Sequence, residues 1–157
     1  MIGPYDSSHG SNSIILALTR GKIIVNPPGG RNFINAKDAA IAICNALTMG
    51  RRGECYILGN QNLSYKQFFD LTAGVVNCKP PRIAFPAALI KALGLVANFF
   101  ANAFNKRPFI STEAARMSCD QHFFNSEKAV RELHLPQTPL AMGIEDSYTW
   151  FKHKNLL

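Results

Sequence analysis

The stretch from Arg31 to Gly59 restricts the possible folds more than any other part of the chain. Arg31-Asn32-Phe33-Ile34 reads as an extended run, and Glu54 to Leu58 reads as a second one. Between them, Ala36 to Met49 is rich in Ala, Ile and Leu, which predicts a helix. Asn35 is placed to cap its start, Asp38 sits in the first turn where negative charge suits the dipole, and Gly50 closes it. Strand, helix and strand within about 30 residues is the size of a crossover unit, which predicts two parallel strands. Two such strands bury little on their own and are expected to join a larger sheet.

The flanks follow from local signals. Residues 13–20 read as a short helix ending near Gly21, Lys22 to Val25 is strand-like, and Pro27-Pro28-Gly29-Gly30 is a turn. Ser64 and Gln67 form a capping box for a helix over 65–76, and Pro80-Pro81 breaks the chain before an extended Arg82 to Phe85. Ser111 to Arg116 adds a helical turn, Asn125 caps a helix through Leu133, and Thr138 with Pro139 opens the last helix. The 18-residue stretch Ala87 to Phe104 is near the minimum for a membrane span, but Lys91, Asn98 and Asn102 interrupt it. Leu89, Leu93, Val96, Phe100 and Phe104 fall on one helix face, so it is expected to cover a core or a ligand pocket. With no internal repeat and no low-complexity linker, residues 1–157 are expected to form a single unit with one open side.

The chemistry is defined mostly by what is missing. Lys and Arg number 17 against 10 Asp and Glu, a net charge of +7, but only Arg51-Arg52 and Lys106-Arg107 are adjacent. No basic helix or arm emerges, so neither nucleic acid nor a membrane is an expected partner. The four cysteines show neither CxxC nor metal-like spacing with the four histidines, and no metal site is expected. Cys44 in its helical pattern and Cys55 in its strand pattern are expected to act as small hydrophobes, reduced, in a cytoplasmic protein. The N-terminus shows no basic region followed by an apolar run, so no signal peptide is expected.

Gly29-Gly30 is the nearest thing to a phosphate-cradling loop, yet an extended run follows it where a cofactor site needs a helix N-terminus. GxGxxG and GxxGxxG are absent, so no cofactor-binding residues are assigned. Tyr148 and Lys152 fit a YxxxK pattern, but Leu140, Ile144, Tyr148 and Phe151 form one apolar stripe, which makes Tyr148 a packing residue. His9, His122, His134 and His153 lie far apart, and GxSxG does not occur. No catalytic residue is assigned.

At Arg31-Asn-Phe-Ile-Asn-Ala-Lys-Asp38 the chain resembles the R-x-F-[IV]-x-V-x-D segment of extended short-chain dehydrogenases/reductases, the NAD-dependent epimerase/dehydratase family. Gly53-Glu-Cys-Tyr-Ile-Leu-Gly59 resembles that family's G-E-x-Y-x-L-G strand, and Met1-Ile-Gly-Pro-Tyr-Asp6 its "GP" loop. Asn125-Ser-Glu-Lys-Ala-Val-Arg-Glu-Leu133 is similar to S-x-K-A-x-x-E-L-G, and Trp150-Phe151 stands in the usual last helix. The dihydroflavonol-4-reductase-like subgroup is most similar, through Pro27-Pro-Gly-Gly-Arg-Asn-Phe33 and Tyr56-Ile-Leu-Gly-Asn-Gln-Asn-Leu-Ser64. Ala36 replaces a usual Val, and His134 a usual Gly.

This resemblance implies an α/β fold: part of an NAD(P)-binding Rossmann-type enzyme, with a βαβ unit and a mostly helical substrate-binding subdomain. It implies that the chain is the C-terminal half, with the glycine loop and the catalytic Tyr and Lys on an N-terminal half that the sequence lacks. A fragment, a truncated gene product or an excised piece would each account for that. The family implies NAD or NADP for an intact member and none held by this piece, with a carbonyl compound or nucleotide sugar as substrate. It implies substrate binding for Arg31, whose family counterpart contacts a substrate diphosphate, and a pocket-loop backbone role for Gly3 and Pro4. The alternative from another class is a standalone, non-catalytic binding module that self-associates or pairs with a partner through an exposed sheet edge.

Overall fold

The computed structural model describes residues 1–6, 11–23, 25–90, 92 and 112–157. In chain order the described elements are α1 (Ser11–Thr19), β1 (Val25–Asn26), β2 (Gly30–Phe33), α2 (Ala36–Met49), β3 (Gln61–Ser64), α3 (Tyr65–Val76), β4 (Ile83–Ala84), α4 (Thr112–Cys119), β5 (Gln121–His122), α5 (Glu127–Leu133) and α6 (Leu140–His153). The architecture is mixed α/β. β2 is its axis: β3 lies antiparallel on one side of it and β5 parallel on the other, while β1 and β4 form a separate parallel pair. Ile2 makes one parallel bridge with Asn35, just past the end of β2.

Local signals account for most of the helices. The Asn35 side chain accepts from the Lys37 amide at 3.0 Å, so α2 starts where a good cap stands. Ser64 and Gln67 close a reciprocal capping box at the start of α3, satisfying two amides that would otherwise be orphaned. Asn125 accepts from the Glu127 amide at 2.7 Å and opens α5. That helix ends at His134 in the left-handed region, φ 48°, where the Cβ of any residue but glycine is penalised.

The main core packs α1, α3 and α6 against one face of β2, with Ile15, Leu18, Phe68, Ile144 and Phe151 buried in it. Phe33 and Phe68 stack there, their ring centroids 4.2 Å apart and nearly parallel. A smaller core joins α2 to α5 through Ala39, Ala42, Ala129, Leu133 and Leu135. Small side chains let those two helices approach closely.

Several expectations are corrected. Glu54 to Leu58 is not a strand, and no backbone group of residues 55–58 bonds another backbone group among the described residues. The second strand is instead Gln61–Ser64, antiparallel to β2, so the segment after α2 does not return as the parallel partner of β2. A strand needs a neighbour to bond, and none borders residues 54–58 among the described residues. Cys44 and Cys55 are exposed and not packed as hydrophobes, because they lie on these uncovered surfaces; all four cysteines are free. Thr138 does not cap α6: its amide and hydroxyl donate to the Asp38 carboxylate at 3.0 and 2.8 Å. Asp38 is accordingly buried, a tie between α2 and the start of α6 as well as a first-turn acid.

Of the apolar stretch 87–104, residues 87–90 and 92 are described and helical, and the remainder lies outside the described residues, as do His9, Lys106 and Arg107. No helix among the described residues is long and apolar enough to cross a membrane.

Candidate substrate-binding site

Arg31 occupies the second position of β2, paired with Leu63 on β3 and with His122 on β5. Successive strand residues point to opposite faces, so Arg31 shares a face with buried Phe33, while Gly30 and Asn32 point the other way. Arg31 is partly buried, and its guanidinium makes no hydrogen bond or ion pair among the described residues. Its charge reaches two neighbours. Burial holds the Met1 amine below its ordinary pKa, and Arg31 adds to that effect. Burial pushes the Tyr65 phenol above its ordinary value, with Arg31 pulling against it. A guanidinium on a partly buried residue, with no acceptor among the described residues, is a group that an anion would stabilise.

Gly3 and Pro4 are not brought together with Arg31. The Ile2 bridge sets them beyond Asn35, and the four residues of backbone from Arg31 to Asn35 span roughly 13 Å. Gly3 is held instead by the buried side chain of Asn12, which donates to its carbonyl and accepts from its amide. A Cβ at Gly3 would stand 2.7 Å from the Ala36 Cβ, so the loop can press onto the start of α2 only as glycine. Asn12 also accepts from Ser147, at 3.4 Å, which joins the loop, α1 and α6. Neither Asn12 nor Ser147 stands out in the sequence; a polar residue at an inward helical position is the only hint.

The one Gly-Gly pair does not fit a dinucleotide. A Cβ at Gly29 would lie 2.5 Å from the carbonyl oxygens of Ser118 and Asp120, and one at Gly30 would lie 2.8 Å from the Leu63 carbonyl. These glycines admit neighbouring backbone, and a strand follows them where a phosphate would need a helix N-terminus. Tyr148 is half-buried against the main core, with the Lys152 ammonium 4.5 Å from its ring centroid, over the face of the ring. That is cation–π packing. No group of three or more metal-type ligands converges among the described residues.

A cavity of about 780 Å³ opens on the opposite face of the sheet, lined in part by Asn60, Asn62, Phe124, Arg131 and Gln137. Its amides are already engaged. Asn62 accepts from Asn32 and exchanges hydrogen bonds with the Phe124 backbone, and Asn60 and Gln137 donate to the Thr138 and Gly59 carbonyls. Size alone does not make this the site.

The uncovered surface lies elsewhere again. α2 exposes Ile41, Ile43, Leu47 and Met49, and Ile57 is exposed beside them in sequence order. Residues 51–56 are strapped onto α5: Arg51 forks onto Glu132 at 2.8 and 3.0 Å, the Tyr56 hydroxyl donates to Glu132 at 2.9 Å, and Lys128 reaches Glu54 at 2.6 Å. Glu132 is held below its ordinary pKa, chiefly by the Tyr56 hydrogen bond, and Glu54 by the one from Lys128.

With that geometry in view, the similarity to known proteins falls into place. No protein-family profile matches the chain. It is 26% identical over 157 residues to a Synechocystis protein named "Putative dihydroflavonol 4-reductase", covering 97% of this chain and 46% of that one. A solved nucleoside-diphosphate-sugar epimerase from Pseudomonas aeruginosa superposes with a TM-score of 0.80 at 23% identity, covering 99% of this chain and 46% of that one. A UDP-glucuronic acid 4-epimerase from Bacillus cereus, solved in complex with NAD, superposes with a TM-score of 0.63 at 15% identity, covering 98% of this chain and 42% of that one. The chain is thus a partial match to dihydroflavonol-4-reductase-like and NAD-dependent epimerase proteins. It spans about half the length of these relatives.

Proposed function

We propose that the chain is the C-terminal, substrate-binding part of an NAD(P)-dependent oxidoreductase of dihydroflavonol-4-reductase type, or of a nucleotide-sugar epimerase, and is catalytically incomplete alone. One observation carries this. Nearly every residue aligns with a little under half of such proteins, and Gly29-Gly30, the nearest thing to a phosphate loop in the sequence, admits neighbouring backbone instead. Residues 55–58, with no backbone–backbone hydrogen bond among the described residues, and the bare apolar side of α2 are what a β-strand and its crossover helix become without their sheet. Arg31 is the substrate contact, a partly buried residue whose planar fork suits an anion. Gly3 and Pro4 shape a loop by backbone only. NAD or NADP belongs to the half that would carry the glycine loop.

The test is cofactor binding with and without that half. The 157-residue chain alone is expected to leave NADPH and NADH fluorescence unchanged. Co-expression with a glycine-loop half from a relative is expected to restore binding and carbonyl-dependent oxidation of the nucleotide. Micromolar NAD(P)H binding by the chain alone sinks the proposal.

A second reading is favoured by the apolar side of α2: a standalone module whose exposed surface is covered by another copy. It predicts a concentration-dependent dimer in sedimentation; a monomer across the range removes it.

A further inference from the structure

Arg31 is the centre of a row that crosses the whole three-stranded sheet, from Leu63 on β3 to His122 on β5. Side chains in register lie on the same face, so the imidazole stands beside the guanidinium. Tyr65 lies two residues past Leu63, with its amide bonded to the Gly29 carbonyl at 3.1 Å, which makes it the diagonal neighbour of Arg31 on that face. The influence of the Arg31 charge on the phenol agrees with that placement.

None of the three polar groups has a partner among the described residues. The His122 Nε2 is buried and bonds nothing. Tyr65 is 6% exposed, and its hydroxyl makes no hydrogen bond among the described residues. Arg31 has no acceptor there either. Of the three, the His122 Nε2 is the fully buried one, and a buried polar atom is almost always paired; Arg31 and Tyr65 stand on the same face of the sheet with donors that could share its acceptor. The fourth member of the patch, Leu63, is apolar and supplies a wall.

We infer that His122 and Tyr65 complete the Arg31 site, the three together gripping one oxyanion of the ligand, a phosphate or a carboxylate. Arg31 supplies the charge and a planar fork. His122 donates from Nε2, in the tautomer that carries its proton there, and the Tyr65 hydroxyl donates from the β3 side. This rests on the proposal that Arg31 contacts substrate and adds two residues to it. No sequence motif marks either of them.

The test uses the 157-residue chain and two probes, inorganic pyrophosphate and malonate, followed by NMR at the Arg31 Nε and the imidazole nitrogens. Saturable shifts at both residues are expected, and the tighter probe identifies which oxyanion is preferred. Arg31→Ala is expected to abolish the response. His122→Ala and Tyr65→Phe are each expected to weaken it about tenfold, as the loss of a hydrogen bond to a charged group would. His122→Gln, which keeps a donor, is expected to recover part of that loss, and carries the test should the alanine variant not fold. Loss of binding in Arg31→Ala alone, with the other two variants unchanged, overturns this inference and leaves the role of Arg31 standing. No saturable binding by the parent chain, or binding indifferent to Arg31→Ala, overturns both.

Discussion

α2 and α3 are similar in length and both largely apolar, yet they are used in opposite ways. α3 turns Phe68, Phe69, Thr72, Ala73 and Val76 inward and buries them among α1, α6 and β2. α2 turns only its small residues inward, Ala39 and Ala42 with Asp38, and leaves its large aliphatics in water, Leu47 at 86% exposure. A helix that is hydrophobic on two sides is normally covered on both. The contrast divides the molecule into a side that buries its large apolar residues and a side that leaves them exposed.

The largest expected effect tests the finished side. Phe68→Ala removes a fully buried ring and its stacking partner on Phe33. Truncations of this kind leave a cavity and cost about 3–5 kcal/mol, so urea unfolding should show a large fall in midpoint. A loss below about 1 kcal/mol would mean that this core is as loosely formed as the other side, and the contrast would collapse.

Asp38 tests the seam between the two sides. Its carboxylate holds both the amide and the hydroxyl of Thr138, tying α2 to the entry of α6. Asp38→Ala orphans both donors and should cost about 2 kcal/mol in the same measurement, with Asp38→Asn losing less. An effect near zero would show that water replaces the carboxylate and that α2 is hinged to the main body.

The same division explains what could be seen in the sequence. Caps and patterns that depend on neighbours a few residues away were legible: Asn35 before α2, Ser64 with Gln67 before α3, and the stripe that makes Tyr148 a packing residue. Features that depend on a distant partner were not. Glu54 to Leu58 has strand composition but no paired strand among the described residues, whereas Gln61-Asn-Leu-Ser64 has little strand composition yet pairs because β2 offers an edge. Composition registers fitness for a half-buried pleat, and pairing decides. Of the candidate site, Arg31 was accessible through resemblance to a family. His122 was not, since only the register of β5 against β2 places it there.

The smallest expected effect is the most informative about the open side. Leu47→Ser and Ile43→Ser exchange exposed aliphatics for a polar residue, and each should leave stability within about 0.5 kcal/mol of the parent at low concentration. The same change in Phe68 or Leu18 would be ruinous, so near-neutrality at Leu47 means that nothing in this chain packs on it. If the proposed missing half is what covers α2, these variants should fail to assemble with a complementing half while folding normally alone. If another copy covers it, stability should depend on protein concentration in the parent and lose that dependence in Leu47→Ser. A cost above about 1 kcal/mol in the dilute monomer would break the comparison itself, because it would show α2 already buried against its own chain.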